Sequence, residues 1–172
     1  MANAPKESNW KSIFILHPEK VRVLNVINLK DAKLNIQEID GKKYITSIEV
    51  LTPKLTFLNA LNYSQLIANR LVDFVSFQVG YSITCFLKQI NEEGKEGAVK
   101  QGAVFMSFDA FLEKAVEINL TSHNFSQALR GTDEKLMRQL SHYRKALSSN
   151  DIIDQIREYY QVIEDEYGKN DP

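Results

Sequence analysis

Hydrophobic positions change their period twice along this chain. Up to Leu51, β-branched residues cluster in short runs. Val21, Val23, Val26 and Ile27 form one, and Leu34, Ile36 and Ile39 nearly alternate with polar neighbours. Asp40-Gly41 supplies a turn before the run from Tyr44 to Leu51, so residues 33–39 and 43–51 are expected to form a hairpin around 40–42. Pro53, which has no N–H for a ladder, ends the second strand.

From Phe57 to Val79 the period becomes helical. Asn62, Gln65, Asn69, Asp73 and Ser76 fall at steps of three or four, while Leu61, Leu66, Ile67, Leu71, Val72, Phe74, Val75 and Phe77 fill most of the remaining circumference. This predicts a long helix between layers that shows only a narrow polar edge and ends at Gly80. Strand character returns at Tyr81–Ile90. The loop 91–97 reads as a hairpin tip, and Ala98–Phe108 is expected to pair back. Within 109–131, Phe111, Leu112, Ala115, Val116 and Ile118 fit a short helix.

The end of the chain returns to a helical period. Thr132 is a natural N-cap with Asp133 and Glu134 behind it, and Leu136, Leu140, Tyr143 and Leu147 follow on one stripe. Ser148-Ser149-Asn150-Asp151 punctuates the chain, with Ser148 and Asp151 offering a capping box or Asn150 the cap. Ile152, Ile156, Tyr159, Ile163 and Tyr167 then form a second stripe, closed by Gly168. Two helices on so short a connector should pack antiparallel. The whole pattern predicts an α+β fold: a mainly antiparallel sheet packed on helix 57–79, followed by a C-terminal helical hairpin. The expected division is a domain over 1–131 and the hairpin over 132–172.

Composition narrows the function. The chain has 172 residues, 44% hydrophobic and 25% charged, with a formal net charge of -1, which excludes a disordered chain and any global electrostatic case for nucleic acid. Cys85 is the one cysteine, so neither an internal disulfide nor a cysteine zinc site is available, and a reducing, cytoplasmic setting is expected. Met1–Trp10 lacks a signal-peptide core, and the most apolar helix is broken by polar residues, so no membrane partner is expected. His17, His123 and His142 stand apart with no metal-ligand spacing, and no nucleophile elbow, phosphate loop or dinucleotide motif is present. The pattern implies no catalytic residue, metal or cofactor. Cys85, inside an expected strand with no cation near it in sequence, reads as an inert packed thiol.

Three surfaces remain as candidates. Lys135, Arg138, His142 and Lys145 share a helical stripe with Arg144 at its edge, a spacing able to follow an RNA phosphate backbone. The next helix carries Asp151, Asp154, Glu158, Glu164, Asp165 and Glu166, so ion pairing between the helices explains the same stripe. Asn69, Arg70 and Asp73 on the long helix offer a polar site for a small molecule, or an ordinary Arg70–Asp73 ion pair. Tyr143, Ile156, Tyr159, Tyr160 and Ile163 are interface candidates, because the two apolar stripes exceed what one short helical pair can bury. Stacking of bases on Tyr143, Tyr159, Tyr160 and Tyr167 is the alternative use of the aromatics.

The segment LSHYRKALSSNDIIDQIREYYQVIEDEYG (140–168) resembles the first part of the Apea-like HEPN domain, through Tyr143, Ala146, Leu147, Ser148, Ser149, Tyr160 and Glu164. IANRLVDFVSFQVGYSI (67–83) resembles a helix in N-terminal domains that accompany this module in bacterial and archaeal proteins. The resemblance implies dimerisation and, as an alternative, an RNA-binding part of a defence- or toxin-type ribonuclease. It does not imply ribonuclease activity for these residues. Active members carry an Arg followed by four to six residues and a His late in the domain, whereas Arg138 and His142 have only three residues between them and lie in an early helix. The chain reaches Pro172 before the region where that motif is expected. The expected role is a non-catalytic recognition or regulatory region acting through protein contacts, with a second copy or a further helical segment as partner.

Overall fold

A computed structural model describes residues 6–17, 21–23, 32–94, 99–102 and 134–168. Its strands are β1 (Trp10–His17), β2 (Val21–Val23), β3 (Ala32–Ile39), β4 (Lys42–Leu51), β5 (Thr84–Glu92) and β6 (Val99–Gly102). Its helices are α1 (Phe57–Val79), α2 (Glu134–Ser148) and α3 (Ile152–Tyr167). All strand pairings are antiparallel, and the architecture is α+β.

The β3–β4 hairpin turns on Asp40 and Gly41, both at positive φ (51° and 71°), as a tight two-residue connection requires. β3 lies along one edge of β4, which leaves the other edge to β1 and β2, end to end. β5 adds outside β1, and β6 outside β5.

Two bulges shape the inner face. Opposite the Asn35/Ile36 step, β4 holds one extra residue at Thr46, which puts Ile45 and Ile48 on the same side although they are three apart. Opposite Ile13/Phe14, β5 holds an extra Lys88, which does the same for Leu87 and Ile90.

Sequence periodicity missed β1, the central strand. Its alternation is nonetheless clear: Trp10, Ser12, Phe14 and Leu16 are buried beneath α1 and Lys11, Ile13 and Ile15 only partly so. β5 begins at Thr84 rather than Tyr81, since Ile83 N–H donates to Ser76 Oγ (2.9 Å) and not to a strand.

α1 has the expected limits. Thr56 caps its start by accepting from Asn59 N–H, and Gly80 ends it in the left-handed region (φ 62°). Its inner side, with Ile67, Ala68, Leu71, Val72 and Val75, shares one core with Phe14, Ile45, Ile48 and Val50 of the sheet. The polar line on α1 departs from the expected solvent edge. Asn62 is exposed, but Asp73 and Ser76 are buried, as is Ser64, which lies off that line. Ser12 Oγ donates to Ser64 Oγ at 2.8 Å, joining α1 to β1, while Ser76 holds the chain just beyond α1.

The strand run beyond Gly102, the helix read over 111–118, Val26, Ile27 and the Thr132–Asp133 cap lie outside the described residues. So does the proposed boundary at 131/132. Beyond it, Leu140 of α2 is buried in the core shared by the sheet and α1. Among the described residues, no helix is long and apolar enough to cross a membrane.

Candidate functional site

α2 and α3 are joined through Ser149-Asn150-Asp151. The N-cap is Asp151, rather than Ser148 or Asn150. Its carboxylate accepts from Ile153 N–H at 2.7 Å and Asp154 N–H at 3.4 Å, because a carboxylate best serves the positive end of a helix dipole. Ser149 holds the cap residue by accepting from Asp151 N–H.

The helices pack antiparallel, joined by a row of polar side-chain contacts. Lys135 Nζ lies 2.8 Å from Glu166 Oε2, Arg138 Nε 3.0 Å from Asp165 Oδ2, and His142 Nδ1 2.6 Å from Glu158 Oε2. The hydrogen bond with His142 holds the Glu158 carboxyl below its ordinary range, and Lys135 with Gln139 does the same for Glu166. The RNA-binding candidates Lys135, Arg138 and His142 are therefore matched by acids of the neighbouring helix. Lys145 is exposed. Arg144 has a different neighbourhood: its Nε donates to Asp73 of α1, both side chains mostly buried.

That pair also corrects the reading of the α1 polar stripe. Asp73 pairs with Arg144 of α2 and not with Arg70 at i−3. Burial pushes the Asp73 carboxyl above its ordinary range, partly offset by the Arg144 guanidinium. Asn69 accepts from Gln65 Nε2 at 3.2 Å, with Cys85 Sγ 3.9 Å away. Cys85 packs against the core, and burial pushes its thiol up to about 12, which keeps it protonated and unreactive. Asn69, Asp73 and Arg144 thus join α1 to β5 and α2. Among the described residues no three His, Cys, Asp or Glu side chains converge as metal ligands.

The interface candidates fall together. Tyr143 stands between Phe77 of α1 (centroids 5.4 Å) and Tyr159 of α3 (5.8 Å), giving an aromatic row across three helices. Beyond it, α3 turns an apolar face to solvent. Ile156, Tyr160 and Ile163 are 62%, 60% and 55% exposed, and Ile152, Ile153 and Tyr167 are more so. No residue of α3 is buried. At about 100° per residue these positions span roughly one-third of the helix circumference, the width of a core-facing stripe. Glu158 and Asp165 point the other way, at α2.

Sequence periodicity identified this stripe and its excess over what one helical pair can bury, but not that α3 carries the exposed part. The Asp73–Arg144 pair was the other omission, its trace being two opposite charges on otherwise apolar helix faces. The chain matches no protein-family model, no curated protein and no solved structure. Nothing in these comparisons indicates a HEPN-like domain.

Proposed function

We propose that this chain is a protein-contact module with α3 as its docking helix. One observation carries the reading: a sixteen-residue helix has a full apolar stripe of which only Tyr159, packed on Tyr143, turns partly inward. An isolated apolar face of this width is costly to leave in water, and contiguous exposed patches of this kind mark interaction sites. The remainder of the molecule acts as the support. Arg144–Asp73 and Leu140 fix α2 to α1, and the contacts of Lys135, Arg138 and His142 then hold α3 by its polar side, leaving most of its apolar side outward.

RNA association through the basic stripe has less support, since Lys135, Arg138 and His142 face carboxylates at hydrogen-bonding distance. A role for Asn69 and Asp73 in small-molecule binding has less as well, since both are engaged within the fold.

Cysteine labelling tests the docking reading. In a Cys85→Ser background, Ile156→Cys, Tyr160→Cys and Ile163→Cys are expected to react with maleimide at nearly the rate of an unfolded control, at submicromolar chain concentration. Strong protection at all three positions under those conditions would contradict it.

A further inference from the structure

We infer that the occupant of the α3 face is a second copy of this chain, with the two α3 helices antiparallel about a two-fold axis. The inference rests on the docking reading above and adds the partner and the register.

The spacing of the face is self-complementary. Ile152, Ile156, Tyr159 and Ile163 advance by four, three and four residues, the spacing of a helix–helix seam. Reversed on itself, the series gives the same spacing. With the axis passing between Arg157 and Glu158, Ile152 meets Ile163 of the second copy and Ile156 meets Tyr159 of the second copy. Each contact then occurs twice, as an isologous interface requires. Ile153 lies on the same flank as Tyr160 of the second copy, two residues out of direct register, and widens the seam on that side. Tyr159 is thereby placed against a branched aliphatic side chain rather than another ring, which lets the layers interdigitate.

Charge and dipole agree with this arrangement. Glu158, Asp165 and Glu166 are engaged by α2, Asp154 pairs with Arg157 at 2.9 Å, and Glu164, at the edge of the apolar stripe, accepts from Gln161 Nε2 at 3.0 Å, so each of these carboxylates has a partner within the chain. Antiparallel helices also set the positive end of one dipole beside the negative end of the other. The area is sufficient for a weak dimer. At roughly 100 Å² for each of the six Ile and Tyr side chains in or beside the seam, the face offers on the order of 600 Å² per copy, below the ~800 Å² of a standard interface and in the range of a weak one.

The test is sedimentation velocity on the full chain over about 1–100 µM, a range that brackets a weak homodimer. The expected result is a shift with concentration from the 19.7 kDa chain to twice that mass. Ile156→Arg is expected to weaken association at least ~100-fold by burying an unpaired charge, with the far-UV circular dichroism unchanged. The register is read by mixing two single-cysteine variants in the Cys85→Ser background. Ile156→Cys with Tyr159→Cys should yield the mixed disulfide in preference to either homodimer.

A chain that stays monomeric throughout while its α3 cysteines label freely overturns self-pairing and leaves the docking reading intact. A monomer whose α3 cysteines are protected at submicromolar concentration overturns both. A dimer unaffected by Ile156→Arg, or one preferring the homodimeric disulfides, overturns the proposed seam.

Discussion

The Arg144 guanidinium of α2 is hydrogen-bonded to the Asp73 carboxylate of α1 across 71 residues of chain, and the pair is mostly shielded from solvent. It anchors the C-terminal helices to the helix that covers the sheet. Removing the cation alone leaves a carboxylate buried without a partner. Arg144→Leu is therefore expected to destabilise the fold by about 3–5 kcal/mol, whereas the double variant Asp73→Leu/Arg144→Leu should recover most of the loss. Urea unfolding of the four members of this cycle measures it.

The pH dependence of the Arg144→Leu variant follows from the sign of the shift. Burial raises Asp73, and removing Arg144 removes the main opposing effect. A carboxyl raised on folding favours the folded state most below its unfolded range, and that benefit is lost as pH rises through the folded value. The deficit of Arg144→Leu against the parent should therefore be smaller near the acid end of the carboxyl range and larger at neutral pH. Paired urea melts across that interval check the direction. Glu158, lowered by His142, behaves oppositely: its contribution is present above the ordinary carboxylate range and fades as pH falls through the lowered value. At this partly solvated pair the effect should stay under about 1 kcal/mol.

How much of this was legible in the sequence depended on where the deciding interaction lay. The α1 limits and the 40–41 turn were legible because Gly80, Pro53 and Asp40-Gly41 act within a few residues of themselves. β1 was harder, since its alternation includes Ser12 on the buried side, and a serine there makes sense only once Ser64 is seen opposite it at 2.8 Å. The α3 stripe was readable as apolar from its spacing. That some of it would stay uncovered was readable too, but not that α3 carries the exposed part, because that depends on which face the Lys135, Arg138 and His142 contacts draw inward.

The Ser12–Ser64 pair makes a separate prediction. Each hydroxyl satisfies the other in a fully buried position. Ser64→Ala should cost about 1–3 kcal/mol by stranding Ser12, and Ser12→Ala/Ser64→Ala should cost less than the sum of the single changes. Thermal or urea unfolding of the cycle gives the coupling.

Cys85 should be slow to alkylate in the folded protein. With its thiol raised to about 12 by burial, the thiolate is scarce at neutral pH. Iodoacetamide modification is expected to proceed at least ~10-fold faster in urea than in native buffer. Equal rates would mean that the side chain is not packed against the core as described.

At the α2–α3 connection, Asp151→Ala removes the acceptor for Ile153 and Asp154 N–H and should cost about 1 kcal/mol, read as a loss of helicity and a lower unfolding midpoint.

The claim that α3 presents a docking face rather than a piece of the core is tested most directly by comparing Leu140→Ala with Ile156→Ala in urea unfolding at submicromolar chain concentration. Leu140 lies in the shared core and Ile156 is exposed on the outer stripe. The expected result is a loss of about 2–5 kcal/mol for Leu140→Ala and within about 0.5 kcal/mol for Ile156→Ala. Equal, large losses for the two variants would contradict the account.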